Sequence, residues 1–139
     1  MAFVIDASVV LTWLFEDESF PAAEAIQDRL ITERALVPTL WRHEVTNALV
    51  VACRRQRITQ AQVDRFSALL ERLPIEESDP APMAEVSRLA LAHRLSAYDG
   101  AYLHVAASQG LPLATVDARL AEAATALGVT LLVSRTARA

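Results

Sequence analysis

At 139 residues with a formal charge of −4 and 53% hydrophobic residues, the chain is long enough for one domain with a real core and too apolar for global disorder. Its apolar runs are short and broken by charges, which excludes a membrane-spanning segment. The acidic balance argues against a general nucleic-acid coat but leaves room for a local basic patch.

All thirteen basic residues are arginines. Without lysine there is no P-loop, no Schiff-base chemistry and no phospho-receiver site of the kind that needs a lysine. The three glycines, Gly100, Gly110 and Gly128, form no dinucleotide-binding fingerprint. The N-terminus lacks a basic region followed by a long apolar stretch and a small-residue cleavage site, so a cytoplasmic protein without signal peptide is expected. The single cysteine, Cys53, cannot form an internal disulfide and sits mid-helix among apolar residues, where a packing role is expected.

Phe3-Val4-Ile5 is an apolar run without a turn residue, as in a strand buried on both faces of a parallel sheet. Asp6 follows where that strand should end. It can serve there as a helix cap or as a site carboxylate, because ligands of open α/β folds bind at the carboxyl edge of the sheet. Ser8 to Phe15 suits a buried helix closed by Glu16-Asp17-Glu18, and Pro21 opens a second helix to about Thr32. Ala35-Leu36-Val37 reads as the next strand.

Thr39 to about Gln56 forms a long helix with Leu40, Trp41, Val45, Ala48, Leu49 and Ala52 on one face. Glu44 and Asn47, three apart, lie close together on it. Its end, Arg54-Arg55-Gln56-Arg57, matches the preference of cations for a helix C-terminus better than a nucleic-acid contact. Thr59 caps the following helix, whose Val63, Phe66, Leu69, Leu70 and Leu73 are expected to face inward. Residues 74–77 can hold a short edge strand.

A turn from Asp79 to Pro82 opens a helix to about Leu95, and Ser96 to Asp99 starts another that Gly110 ends. Leu113 to Val116 is the next strand, with Asp117 directly after it. A helix from Leu120 to Leu127 and a last strand, Val129 to Val133, precede an Arg-Ala tail that is expected to fray. Alternation of strands with helices implies an α/β fold: a central parallel sheet of four to five strands flanked by helices in three layers, wound by right-handed crossovers. No repeat or linker divides residues 1–139, so a single domain is expected.

Asp6, Glu44, Asp99 and Asp117 then fall at or just beyond one edge of that sheet, each beside apolar residues. Each alone has a simple account as a helix-start acid. Four converging carboxylates repel one another, and some protonate unless a cation holds them together. Oxygen-only ligands select Mg²⁺ or Mn²⁺, ions that keep waters and share a substrate's phosphate oxygens. That is apparatus for phosphodiester hydrolysis.

The segments Val4-Ile-Asp-Ala-Ser8, Glu44-Val-Thr-Asn47-Ala-Leu, Tyr98-Asp-Gly-Ala-Tyr102-Leu and Thr115-Val-Asp117-Ala-Arg-Leu resemble the PIN domain, with a closer likeness to the VapC toxins of bacterial toxin–antitoxin pairs. The likeness runs through essentially the whole chain, in order. It implies a PIN-like fold and a Mg²⁺- or Mn²⁺-dependent endoribonuclease that leaves a 5′-phosphate and a 3′-hydroxyl. Asp6, Glu44 and Asp99 match the family's acidic triad, and Asp117 matches the acid after the late strand. Ser8 and Thr115 match hydroxyls near the site, and Asn47 matches a polar helper beside the glutamate.

The resemblance further implies a homodimer and a small VapB-like antitoxin docked near the acids. Any of Trp13, Phe15, Phe20 and Trp41 left exposed would mark such an interface. Where some relatives carry a further acid after the Asp117 position, this chain has Ala118 and Arg119, which leaves one or two metal ions open. Phosphate contacts fall to arginines, and Arg42, Arg94 and Arg119 stand nearest the acidic motifs in sequence. His43, His93 and His104 are expected to be surface or core groups.

Two other classes compete. One is a catalytically silent RNA-binding or protein-interaction module, since a fold alone never gives function. The other is a phosphatase of the haloacid dehalogenase type with Asp6 as nucleophile. Such enzymes usually carry a second aspartate two residues on and a lysine, whereas this chain has Ser8 and no lysine.

Overall fold

The computed structural model describes residues 1–133; the expected fraying of the Arg-Ala tail lies outside them. The first strand, β1 (Ala2–Ile5), is the centre of the sheet. Phe3, Val4 and Ile5 have no solvent exposure at all, as a strand covered on both faces requires. Burial of each such side chain stabilises the fold by about 1.5–3 kcal/mol relative to leaving it in water.

Around β1 the chain builds β2 (Arg34–Val37), β3 (Ile75–Glu77), β4 (Leu113–Ala114) and β5 (Leu131–Val133) into one five-stranded sheet of order β3-β2-β1-β4-β5. Every pairing is parallel. In register, Val4 of β1 stands between Leu36 of β2 and Leu113 of β4. The two late strands are shorter than the apolar runs 113–116 and 129–133 suggest. The register between β4 and β5 shifts at Leu113/Ala114, and the N–H groups of Val116 and Asp117 donate to the side-chain hydroxyls of Ser8 and Thr115 instead.

The helices are α1 (Ala7–Leu14), α2 (Pro21–Arg29), α3 (Leu40–Arg54), α4 (Gln60–Glu71), α5 (Met83–His93), α6 (Ala97–Gln109) and α7 (Ala118–Ala126), with a single 3₁₀ turn at Glu16–Glu18. Helices α1 to α4 contact one another along the β1-to-β3 half of the path, and α5 to α7 contact one another on the return. Right-handed crossovers put these two groups on opposite faces. The chain reverses its direction of winding between β3 and β4, which makes the carboxyl ends of the neighbouring strands β1 and β4 the switch point at which ligands of such sheets bind.

Local chemistry explains the helix ends. Thr59 forms a full capping box with Gln62 at the start of α4. Gly110, at φ 64°, closes α6 in the left-handed region that a residue without Cβ enters freely. Arg94 closes α5 in the same region, at φ 57°, a position uncommon for a side chain of its kind.

Packing corrects one expectation and settles another. Leu69 is 49% exposed, whereas Leu70 is buried, because α4 covers the core with one narrow stripe and adjacent positions diverge on a helix. Phe15, Phe20 and Trp41 are buried, and Trp13 is half-buried with its indole N–H on the Ala23 carbonyl at 2.7 Å. The early aromatics are therefore core. The edge strand β3 carries Glu76 and Glu77 outward, paired with Arg34 and Arg42, charges that discourage another strand from adding there. Among the described residues no helix is long and apolar enough to cross a membrane.

Candidate active site

Asp6 occupies the N-cap position of α1, yet its side chain makes no capping hydrogen bond. Its Oδ2 instead accepts from the Ser8 hydroxyl at 2.7 Å and from the Thr115 hydroxyl at 2.8 Å. The Ser8 oxygen accepts in turn from the N–H of Val116, and the Thr115 oxygen from the N–H of Asp117. Two hydroxyls that donate to one carboxylate oxygen thus fasten the segment after β4 to the end of β1. Asp6 is only 5% exposed. That burial raises its pKa, Asp117 raises it further, and the two hydroxyls partly restore the ionised form.

Glu44 enters from the first turns of α3, half-buried, with Oε1 accepting the Tyr102 hydroxyl of α6 at 2.6 Å. Burial raises its carboxyl, the tyrosine hydrogen bond lowers it, and the charge of Asp6 raises it again. Asp99 lies in the first turn of α6, which Ser96 caps by accepting the Asp99 N–H. Its carboxyl is pushed up to about 6, first by burial and then by the charges of Asp117, Asp6 and Glu44. Asp117 caps α7 by accepting the Leu120 N–H on Oδ1 at 3.0 Å.

These mutual influences bring together four carboxylates from α3, α6 and the ends of β1 and β4. None of the four takes part in an ion pair among the described residues. The cluster is a concentration of negative charge that the chain does not neutralise.

The donor set suits a hard divalent cation, because every side chain offered is a carboxylate or a hydroxyl. It is not a closed cage, however. Among the described residues no three His, Cys, Asp or Glu side chains converge tightly enough to hold an ion by themselves. Mg²⁺ tolerates this, since it is commonly held by one or two carboxylates with water and substrate phosphate completing the shell.

Of the seven residues expected at the site, six are joined in this way: the four acids, Ser8 and Thr115. Asn47 is exposed one turn beyond Glu44 and is not a hydrogen-bond partner of the acids. His43 is exposed and His104 approaches Glu85 of α5. Tyr102 and Ser96 carry roles that the sequence reading passes over. Tyr102 follows Asp99 by three residues, on the same face of α6, and that spacing is the signal that could have found it.

A family model described as PIN domain matches residues 3–126. The chain belongs to the PIN domain family. The match spans β1 to the end of α7 and includes all four acids. No curated protein matches the chain. Among solved structures, this PIN domain is similar to PAE2754 from Pyrobaculum aerophilum, at 26% identity and a TM-score of 0.74, with 95% of this chain and 90% of that one covered. It also shares its fold with FitAcB from Neisseria gonorrhoeae, at 18% identity and a TM-score of 0.60, covering 94% and 96% of the two chains. PIN domains are typically nucleases.

Proposed function

We propose that this PIN domain is a Mg²⁺- or Mn²⁺-dependent endoribonuclease and the toxin component of a VapBC-type toxin–antitoxin pair. The observation that carries the reading is the unneutralised cluster of Asp6, Glu44, Asp99 and Asp117 at the reversal point of the sheet. The finer assignment to VapC rests on the four sequence segments that contain these acids.

One or two of Asp6, Glu44 and Asp99 would hold the cation directly and the others through water, and Asp117 would act through the oxygen not engaged by α7. When bound, the ion lowers the pKa of an attacking water and neutralises charge on the phosphate. The protein's own part is to fix these oxygens in place. Ser8 and Thr115 orient Asp6 by its Oδ2, and Tyr102 orients Glu44 by its Oε1. Preorganised groups of this kind need no rearrangement when charge develops in the transition state.

The partners that go with this reading are an RNA substrate, a VapB-like antitoxin docked near the acids, and a second copy of the chain in a homodimer, all in the cytoplasm. Met83 and Leu91 of α5, 89% and 82% exposed, are apolar surface that a protein partner could cover.

The test is cleavage of end-labelled single-stranded RNA by purified protein in Mn²⁺, beside the same reaction in excess EDTA and beside Asp6→Asn. Cleavage that requires the ion, leaves 5′-phosphate ends and disappears in a folded Asp6→Asn variant is expected. Equal cleavage in EDTA, or an active Asp6→Asn variant, contradicts it.

A further inference from the structure

Three arginines stand near the acidic motifs in sequence, and the structure separates them. Arg42 is turned to the sheet edge, where Glu71 holds it at 2.7 Å and Glu77 at 3.6 Å. Arg94 and Arg119 are exposed, and among the described residues neither is in an ion pair. They line one cleft of about 500 Å³ together with His93, Glu122, Ala123 and Ala126.

The cleft's two arginines come from chain segments that also carry two of the acids. Arg119 is the second residue of α7, two positions after the cap Asp117. Arg94 ends α5, five positions before Asp99, and the chain turns between them through the left-handed Arg94 and the cap Ser96. Asp99 and Asp117 act on each other electrostatically, so each arginine lies a short stretch of chain from one of two neighbouring carboxylates. One wall of the cleft is α7 and the other is the end of α5. Two arginines against the single carboxylate of Glu122 leave the cleft net positive, whereas the acidic cluster is strongly negative.

We propose that this cleft carries the phosphate backbone of the RNA strand away from the acidic cluster, with Arg94 and Arg119 each contacting a phosphate. Arginine suits the role, since its planar fork donates two parallel hydrogen bonds to phosphate oxygens and it stays charged at any working pH. Contacts of this kind position a strand without reading its sequence. They also balance the anionic site, which alone would repel the backbone on both sides of the cleaved bond. The proposal deepens the RNA-cleaving reading and rests on it.

The experiment is equilibrium binding of a labelled 12-nucleotide single-stranded RNA to the full chain, by fluorescence anisotropy in Ca²⁺, across a salt series. Arg94→Asn is used because asparagine tolerates the left-handed region, with Arg119→Ala in α7 and the two combined. The double variant should bind at least about tenfold more weakly, and its salt slope should fall by about 1.4, two single-strand phosphate contacts. R94K/R119K should recover most of the affinity, Glu122→Gln should tighten binding, and Arg42→Ala should bind as the wild type does.

Unchanged affinity in the double variant, an equal loss in Arg42→Ala, or no RNA binding by the wild type would overturn the proposal. So would a double variant that binds RNA normally but fails to bind an acidic protein partner. Wild-type binding that depends on both arginines, in a protein that cuts no RNA with Mn²⁺, would uphold the cleft and sink the nuclease reading instead.

Discussion

The Tyr102 hydroxyl donates to Oε1 of Glu44 at 2.6 Å, joining α6 on one face of the sheet to α3 on the other, just beyond the strands' carboxyl ends. Tyr102 has no solvent exposure, and burial and the Glu44 hydrogen bond drive its own ionisation far upward, so the hydroxyl keeps its proton and donates its hydrogen bond to Glu44. Tyr102→Phe should leave the fold intact and lower kcat for RNA about tenfold, equivalent to about 1.4 kcal/mol of transition-state stabilisation. The hydrogen bond also lowers the Glu44 pKa. Its loss should therefore move the acidic limb of the pH–rate profile upward, which a profile of kcat/KM measures directly.

Asp99 illustrates a cost to stability at the candidate site. Its pKa rises from 3.8 to about 6 on folding, so between those values the native state binds more protons than the unfolded state. Stability then falls as pH rises through that window and levels off above it. Asp99→Asn should abolish RNA cleavage and stabilise the metal-free protein at pH 7.5 by about 1 kcal/mol. That gain should disappear below about pH 4, where the unfolded aspartate is also protonated. Urea unfolding of both proteins at several pH values checks the sign.

Thr115 contributes a hydroxyl where a strand reading predicts only packing. Thr115→Val keeps the shape but removes a donor to the buried Asp6 and the acceptor for the Asp117 N–H. A destabilisation of about 1–3 kcal/mol at neutral pH is expected. The share due to Asp6 should shrink as pH falls through that carboxyl's raised pKa, because a protonated Asp6 no longer needs the donor. Thr115→Ser should retain most of the stability.

Gly100 sits where α6 crosses α5. A Cβ there would stand 3.3 Å from both the Ala90 Cβ and the Val86 carbonyl oxygen. Gly100→Ala sets about 1 kcal/mol of helix propensity against that crowding and should be close to neutral. Gly100→Leu should cost about 1–3 kcal/mol or more through overpacking. Thermal unfolding of the pair separates the two effects.

Much of this was legible in the residues themselves. Phe3-Val4-Ile5 followed by Asp6 announces a buried central strand with a carboxylate at its end, and that is where both lie. The sheet, its parallel sense and the convergence of four acids follow from alternation and spacing. What the sequence left undecided was cap against site at Asp6. The side-chain partners of its carboxylate are the hydroxyls of Ser8 and of Thr115, the second 109 positions away and beyond the reach of local pattern.

Leu69 was misplaced because an apolar residue beside a true stripe reads like part of it. The late strands were read too long because apolar runs continue past the point where pairing stops. Tyr102 went unweighed because an aromatic residue on a helix ordinarily means core. It is core, and its one polar atom serves the site.

On the proposed function, acids far apart in the chain form a single metal-dependent site. Calorimetric titration of Mn²⁺ into the wild-type protein, with Asp6→Asn and Asp99→Asn alongside, tests it most directly. Binding by the wild type that is lost in both folded variants is the expected result, since Asp6 directly follows β1 and Asp99 lies in the first turn of α6. A folded wild type that takes up no Mn²⁺, or binding that survives either substitution unchanged, would contradict it.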